Sequence, residues 1–173
     1  MKIGYSLSNN QGMEDIQGVI DLAVGAEELG FDSVWASEHV FNVSYVYDRI
    51  GDKPYYEPLT VLTYVAAKTT TIGLGTSVLV LPHHNPIRLA KQAADIDQMS
   101  GGRLILGVGL GGSANDLLQY GLSTERRVAR FLENVHIMRA LWTQDGVDYQ
   151  GDFYQLEDAN IEPKPAQGLV PLW

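Results

Sequence analysis

The chain has 173 residues, 12 Lys and Arg against 21 Asp and Glu for a formal net charge of −9, 45% apolar residues and no cysteine. This composition fits one ordinary globular domain, disfavours a phosphate backbone as partner, and excludes disulfides, thiolate catalysis and cysteine-based metal sites. The N-terminus carries one basic residue beside a short apolar stretch, and no run approaches membrane-spanning length. The expectation is a cytoplasmic protein with no nucleic-acid and no membrane partner.

"KIGYSLS" (Lys2 to Ser8) reads as a short strand. The next segment has helical spacing, with Ile16, Val19, Ile20, Ala23, Ala26 and Leu29 on one face and Gly30 as its stop. "SVWASEHV" (Ser33 to Val40) begins as a buried strand and ends in an ionisable pair, Glu38 and His39. A long aromatic loop follows to Pro58, which opens a second helix with Leu59, Leu62, Val65 and Ala66 facing one way. "TIGLGTSVLVLP" (Thr71 to Pro82) is a near-continuous apolar run, as expected of a parallel strand buried on both faces. Asn85, Pro86 and Gly101 mark both ends of a third helix, and "RLILGVGLGG" (Arg103 to Gly112) is the next buried strand. A final helix spans about Thr124 to Trp142, with Val128, Phe131, Leu132, Val135, Met138 and Trp142 as its apolar stripe. "VDYQGDFYQL" reads as a hairpin turning at Gly151-Asp152, and a Pro-rich tail ends in the apolar triplet "PLW".

Four consecutive βα units demand a parallel α/β sheet with right-handed crossovers. A doubly wound sheet and part of a TIM barrel both satisfy this order. In either, ligands gather at the C-terminal ends of the strands. Those ends offer Ser6 and Ser8, then Ser37, Glu38 and His39, then Thr76 and Ser77 with His83 and His84 beyond, then "GVGLGGSAND" with Asn115 and Asp116. Glu38 and His39 suit acid–base work or hydrogen bonds to a cofactor ring, and equally a polar pair at a turn. "GVGLGG" matches G-x-G-x-x-G literally, but no helix is expected directly after it, so close backbone packing competes with phosphate binding. The histidines lack any metal-ligand spacing, and no metal site is expected. The loop from Val40 to Pro58 carries Phe41, Tyr45, Tyr47, Tyr55 and Tyr56 and reads as a partial lid.

Several segments together resemble the luciferase-like monooxygenase superfamily: "GFDSVWASEHV", the stretch from "YYEPLTVLTYV" through "TSVLVLPHHNPIRLAKQAADIDQMSGGRLILGVGLG", "ERRVARFLENVHIMRALW", and "GDFYQL" with "PKP". "SEHV" and "SVLVLPHHNP" look most like its deazaflavin (coenzyme F-420) branch. The resemblance implies a TIM (β/α)8 barrel with residues 1–173 as its N-terminal half and no separate second domain. It implies an oxidoreductase or monooxygenase with coenzyme F-420, or alternatively FMN, across the mouth of the barrel. His39 would be catalytic. Glu38, Thr76, Ser77, Val78 and Asn115 would meet the cofactor, with a non-prolyl cis peptide at Ser77-Val78. Relatives continue beyond "PLW", where strand five should begin. The chain is therefore expected to be a fragment, or a half barrel that acts on a small-molecule substrate once completed by itself or a partner chain. The competing expectation is an inactive, self-associating half barrel without cofactor.

Overall fold

The computed structural model describes residues 1–42, 45–111 and 118–173. Its strands are β1 (Gly4–Ser6), β2 (Ser33–Ala36), β3 (Gly73–Val80), β4 (Leu104–Gly109), β5 (Val147–Gln150) and β6 (Gln155–Ala159). Its helices are α1 (Ile16–Glu28), α2 (Tyr45–Ile50), α3 (Pro58–Lys68), α4 (Pro86–Ser100) and α5 (Arg127–Thr143). The first four strands form one parallel sheet in the order β1-β2-β3-β4, and β5 pairs with β6 as an antiparallel hairpin.

Local chemistry explains most boundaries. Asp15 caps α1 through the Gln17 N–H, and Asn85 caps α4 through Ile87 and Arg88. Pro86 fills the first turn of α4, and Gly101 ends it at a left-handed φ of 70°. Glu57, immediately before Pro58, caps α3 through Leu59 and Thr60. The aromatic loop after β2 is not structureless: Val46 and Ile50, four residues apart and both buried, fold its centre into α2.

Helices cover one face of the sheet, where Val34, Ala36, Leu74, Leu104 and Leu106 are fully buried against them. The other face is built around Trp35. A side chain on Gly4 or Gly75 would run into its indole, so glycine at both positions makes room for the ring. Trp35 also donates to Ser33 Oγ at 2.8 Å and packs on Trp173, with ring centroids 5.3 Å apart. These two rings come from strands three places apart, roughly 14 Å in a flat sheet. Their contact marks this face as the concave side.

The start of a fifth parallel strand, expected at Trp173, is present in the last three residues. Leu106 N–H donates to the Pro171 carbonyl, Trp173 N–H to Leu106 and Val108 N–H to Trp173, each at 2.9 Å. "PLW" already pairs with β4. The tail is delivered to that position by Asp97, which is fully buried on α4 and accepts from the Gln167 N–H and side-chain amide.

Two charged residues hold the turn between α3 and β3 from opposite sides. Glu27 accepts from the N–H groups of Thr70, Thr71 and Ile72. Arg103 donates to the carbonyls of Ala66, Thr69, Ile72 and Ser100 and to the Thr69 hydroxyl. Burial opposes the Glu27 charge, yet the bonds from Thr71, Ile72 and Thr70 prevail and lower its pKa from 4.5 to about 2. Burial also lowers the pKa of Arg103, and the nearby Glu27 charge counters that shift.

The apolar stripe expected on α5 is corrected in its first half. Met138 and Trp142 are buried as expected, but Val128 and Leu132 are exposed while Glu133 and Asn134 turn inward. The reversal follows from hydrogen bonding. Glu133 accepts from the N–H groups of Asp152, Phe153 and Tyr154 at the hairpin turn, and Asn134 donates to the carbonyls of Leu81 and His84. Leu29 is likewise exposed, one residue beyond the end of α1.

Candidate active site

The C-terminal ends of β1, β2, β3 and β4 surround a cavity of about 440 Å³. One wall comes from β3. Its burial alternates poorly because Ser77 and Val78 are consecutive and both exposed within an otherwise buried strand. The pairing of β3 with β4 shifts register between Thr76 and Leu79, and the Ser77-Val78 peptide is cis. The bulge turns both residues to the mouth, where they line the cavity with Val80 and Gly111.

Glycines on β4 and beyond let this wall approach. A side chain at Gly107 would collide with the Thr76 carbonyl. One at Gly109 would lie 3.0 Å from Val78, and one at Gly111 would lie 2.6 Å from Val80. Close backbone packing is thus what "GVGLG" provides among the described residues.

The opposite wall comes from the end of β2 and the loop after it. Ser37 Oγ accepts from the Asn10 amide at 2.8 Å and bonds to the Tyr55 hydroxyl at 2.9 Å. Burial raises the Tyr55 pKa, and the Ser37 hydrogen bond partly offsets this. His39 sits beside this chain. Its Nε2 lies 2.7 Å from the Tyr45 hydroxyl, and its ring packs on Tyr45 and Tyr55. Beneath them Asn9, fully buried, donates to the carbonyls of Ser37 and Tyr56 and accepts from the Ser37 N–H. Asn9 therefore ties the ends of β1 and β2 to the aromatic loop, a role that a lone "NN" after a strand does not signal.

The residues expected at the site do not all reach it in the same way. His39, Ser77 and Val78 line the cavity. Glu38 lines it too, but is buried with both oxygens engaged: one accepts from Val80 N–H at 2.6 Å and the other meets His84 Nε2 at 2.7 Å. Thr76 is corrected. Its side chain is fully buried and donates to the Gly107 carbonyl at 2.9 Å, so it secures β3 to β4 and does not line the cavity. Asn115 lies outside the described residues. The adjacent histidines part company, since His84 turns to Glu38 while His83 stacks on Tyr120 at 4.0 Å. Of the loop aromatics, Tyr45 and Tyr55 line the cavity, whereas Tyr56 turns away to the Glu14 carbonyl.

Residues 1–173 match the family model of luciferase-like monooxygenases. The chain belongs to that family. Coenzyme F-420-dependent glucose-6-phosphate dehydrogenases from Amycolatopsis mediterranei and Kineococcus radiotolerans are each 37% identical to it across its whole length. The chain spans about half the length of these curated relatives, 51% and 50%. Among solved structures, a monooxygenase from Streptomyces bottropensis superposes with a TM-score of 0.83 at 26% identity, over 99% of this chain and 52% of that one. A coenzyme F-420-dependent secondary alcohol dehydrogenase, solved with an F-420–acetone adduct, gives 0.81 at 27% identity, over 99% and 51%. The fold is therefore half of a luciferase-like TIM barrel, in a family of enzymes. Among the described residues, no helix is long and apolar enough to cross a membrane.

Proposed function

We propose that the chain is the cofactor-facing half of a coenzyme F-420-dependent oxidoreductase. In this reading the deazaflavin ring rests on the Ser77-Val78 bulge, and a small-molecule substrate lies between that ring and His39. One observation carries it: two consecutive exposed residues, Ser77 and Val78, interrupt a buried strand where it meets the cavity. Val78 offers an apolar surface, and the glycines at 109 and 111 keep the neighbouring strand end free of side chains. A flat ring fits such a wall, while Asn10, Ser37 and Tyr55 supply donors and acceptors across from it.

When bound, the deazaflavin supplies hydride transfer. The chain's residues orient the reactants and manage protons. His39 exchanges a proton with the reacting oxygen of the substrate, the task for which imidazole is suited near neutral pH. Glu38 acts from beneath, holding Val80 and His84 and so the end of the bulged strand. Residues 1–173 form the first half of one barrel domain, and further strands, from the same protein, a second copy or a partner chain, complete it. The names of the relatives support coenzyme F-420. FMN is the second reading, because its ring has the same flat outline and the wall by itself fits both.

The test is a fluorescence titration of coenzyme F-420 and of FMN against the completed barrel, with turnover of His39→Ala alongside. Coenzyme F-420 is expected to bind one per barrel, and His39→Ala to lower turnover by about 10²-fold or more. Cofactor affinity should change far less. Binding of FMN alone would transfer the assignment to a flavin enzyme. Binding of neither, with the chain self-associated, would establish the inactive half barrel instead.

A further inference from the structure

His39 does not stand free at the mouth. Tyr45, the first residue of α2, places its hydroxyl 2.7 Å from His39 Nε2, and the two rings meet edge to face with centroids 5.3 Å apart. Tyr55 closes on the imidazole from a second direction at 5.8 Å. The support behind Tyr45 is fixed. Val46 is fully buried and Ile50 nearly so, Arg49 donates to the Asn10 carbonyl, and Asn42 donates to the carbonyls of Gly51 and Lys53 at the far end of α2. Tyr45 itself is 63% exposed, so burial does not account for its pose. The hydrogen bond to His39 does.

We propose that Tyr45 is the positioning residue of His39, selecting which ring nitrogen carries the proton. This rests on the reading of His39 as the acid–base group. A neutral imidazole has one N–H and one bare nitrogen, and the partner of one nitrogen decides the state of the other. A phenol donates readily to a bare imidazole nitrogen. In this assignment the Tyr45 hydroxyl donates to Nε2 and the proton resides on Nδ1, which is left as the nitrogen that donates to a reaction partner. The Tyr45 hydroxyl is engaged by His39, so it acts through the imidazole.

The experiment is a proton–nitrogen NMR correlation of the imidazole rings of the 173-residue chain. It is run at a pH of about 9, where ordinary histidines are neutral, and His39 is assigned by loss of its signals in His39→Gln. Wild type is expected to show well-separated nitrogen shifts with Nδ1 protonated. In Tyr45→Phe the two shifts should converge as the tautomers mix, a change in tautomer ratio of about tenfold for one lost hydrogen bond. Tyr55→Phe keeps the Tyr45 contact and should leave the wild-type pattern. Unchanged His39 shifts in Tyr45→Phe would overturn the proposal, as would a wild-type ring protonated on Nε2. No cofactor or substrate enters this measurement, so its outcome is separate from that of the coenzyme F-420 titration.

Discussion

The carboxylate of Glu38 and the imidazole of His84 meet at 2.7 Å behind the cavity, joining the end of β2 to the turn that follows β3. The second Glu38 oxygen holds the Val80 N–H, so one buried side chain sets the spacing between the wall carrying His39 and the wall carrying Ser77 and Val78. Glu38→Ala leaves both partners without it and is expected to cost about 2–4 kcal/mol, measured by urea unfolding. Glu38→Gln keeps an acceptor for Val80 and should cost clearly less. Equal losses in the two variants would show that the Val80 bond contributes little.

Glu27 makes acid stability a property of the α3–β3 turn. Its carboxyl titrates near 2 in the folded chain against 4.5 ordinarily, because the N–H groups it holds favour the charged form over the opposing effect of burial. A depressed carboxyl stabilises the fold above its unfolded value. This contribution is therefore complete above pH 4.5 and fades as pH falls from there toward 2. Glu27→Gln should flatten the dependence of unfolding free energy on pH across that window and lower stability at pH 7. An identical pH slope in wild type and variant would contradict this.

Two glycines should respond in opposite directions to alanine. At Gly107 an added methyl meets the Thr76 carbonyl, and backbone has no rotamer by which to yield. Gly107→Ala is expected to destabilise by about 1–3 kcal/mol and to weaken cofactor binding, since the displaced residue adjoins the bulge. Gly25, inside α1, has open space around it. Gly25→Ala should stabilise by about 0.5–1 kcal/mol through helix propensity and lost freedom of the unfolded chain. Thermal melts of the pair would show both signs.

The sequence displays its local determinants clearly. Asn85, Pro86 and Gly101 act within a few residues of themselves, and the ends of α4 fall where they indicate. The order of apolar runs likewise leads to the parallel sheet. The cis peptide at Ser77-Val78 was expected only through family resemblance, because nothing in the residues "TSVL" demands it. What stayed hidden depends on partners far along the chain. Asn9 meets Ser37 and Tyr56, 28 and 47 residues away, and Glu38 meets His84 at a separation of 46. Thr76 and Ser77 look alike as candidates in the sequence, and only the register shift sends one inward and the other to the mouth. On the first half of α5 the apolar stripe misses the buried face, since Glu133 and Asn134 find backbone partners that periodicity does not reveal.

The central claim, that the Ser77-Val78 bulge and His39 form the two walls facing the cofactor, is tested most directly by mapping amide NMR shifts of residues 1–173 within the completed barrel on addition of coenzyme F-420. The account predicts that the largest changes fall on Ser37 to Val40, Ser77 to Val80 and Gly109 to Gly111. Changes concentrated instead in the apolar groove between α1 and β1, at Tyr5, Leu22 and Phe31, would contradict it.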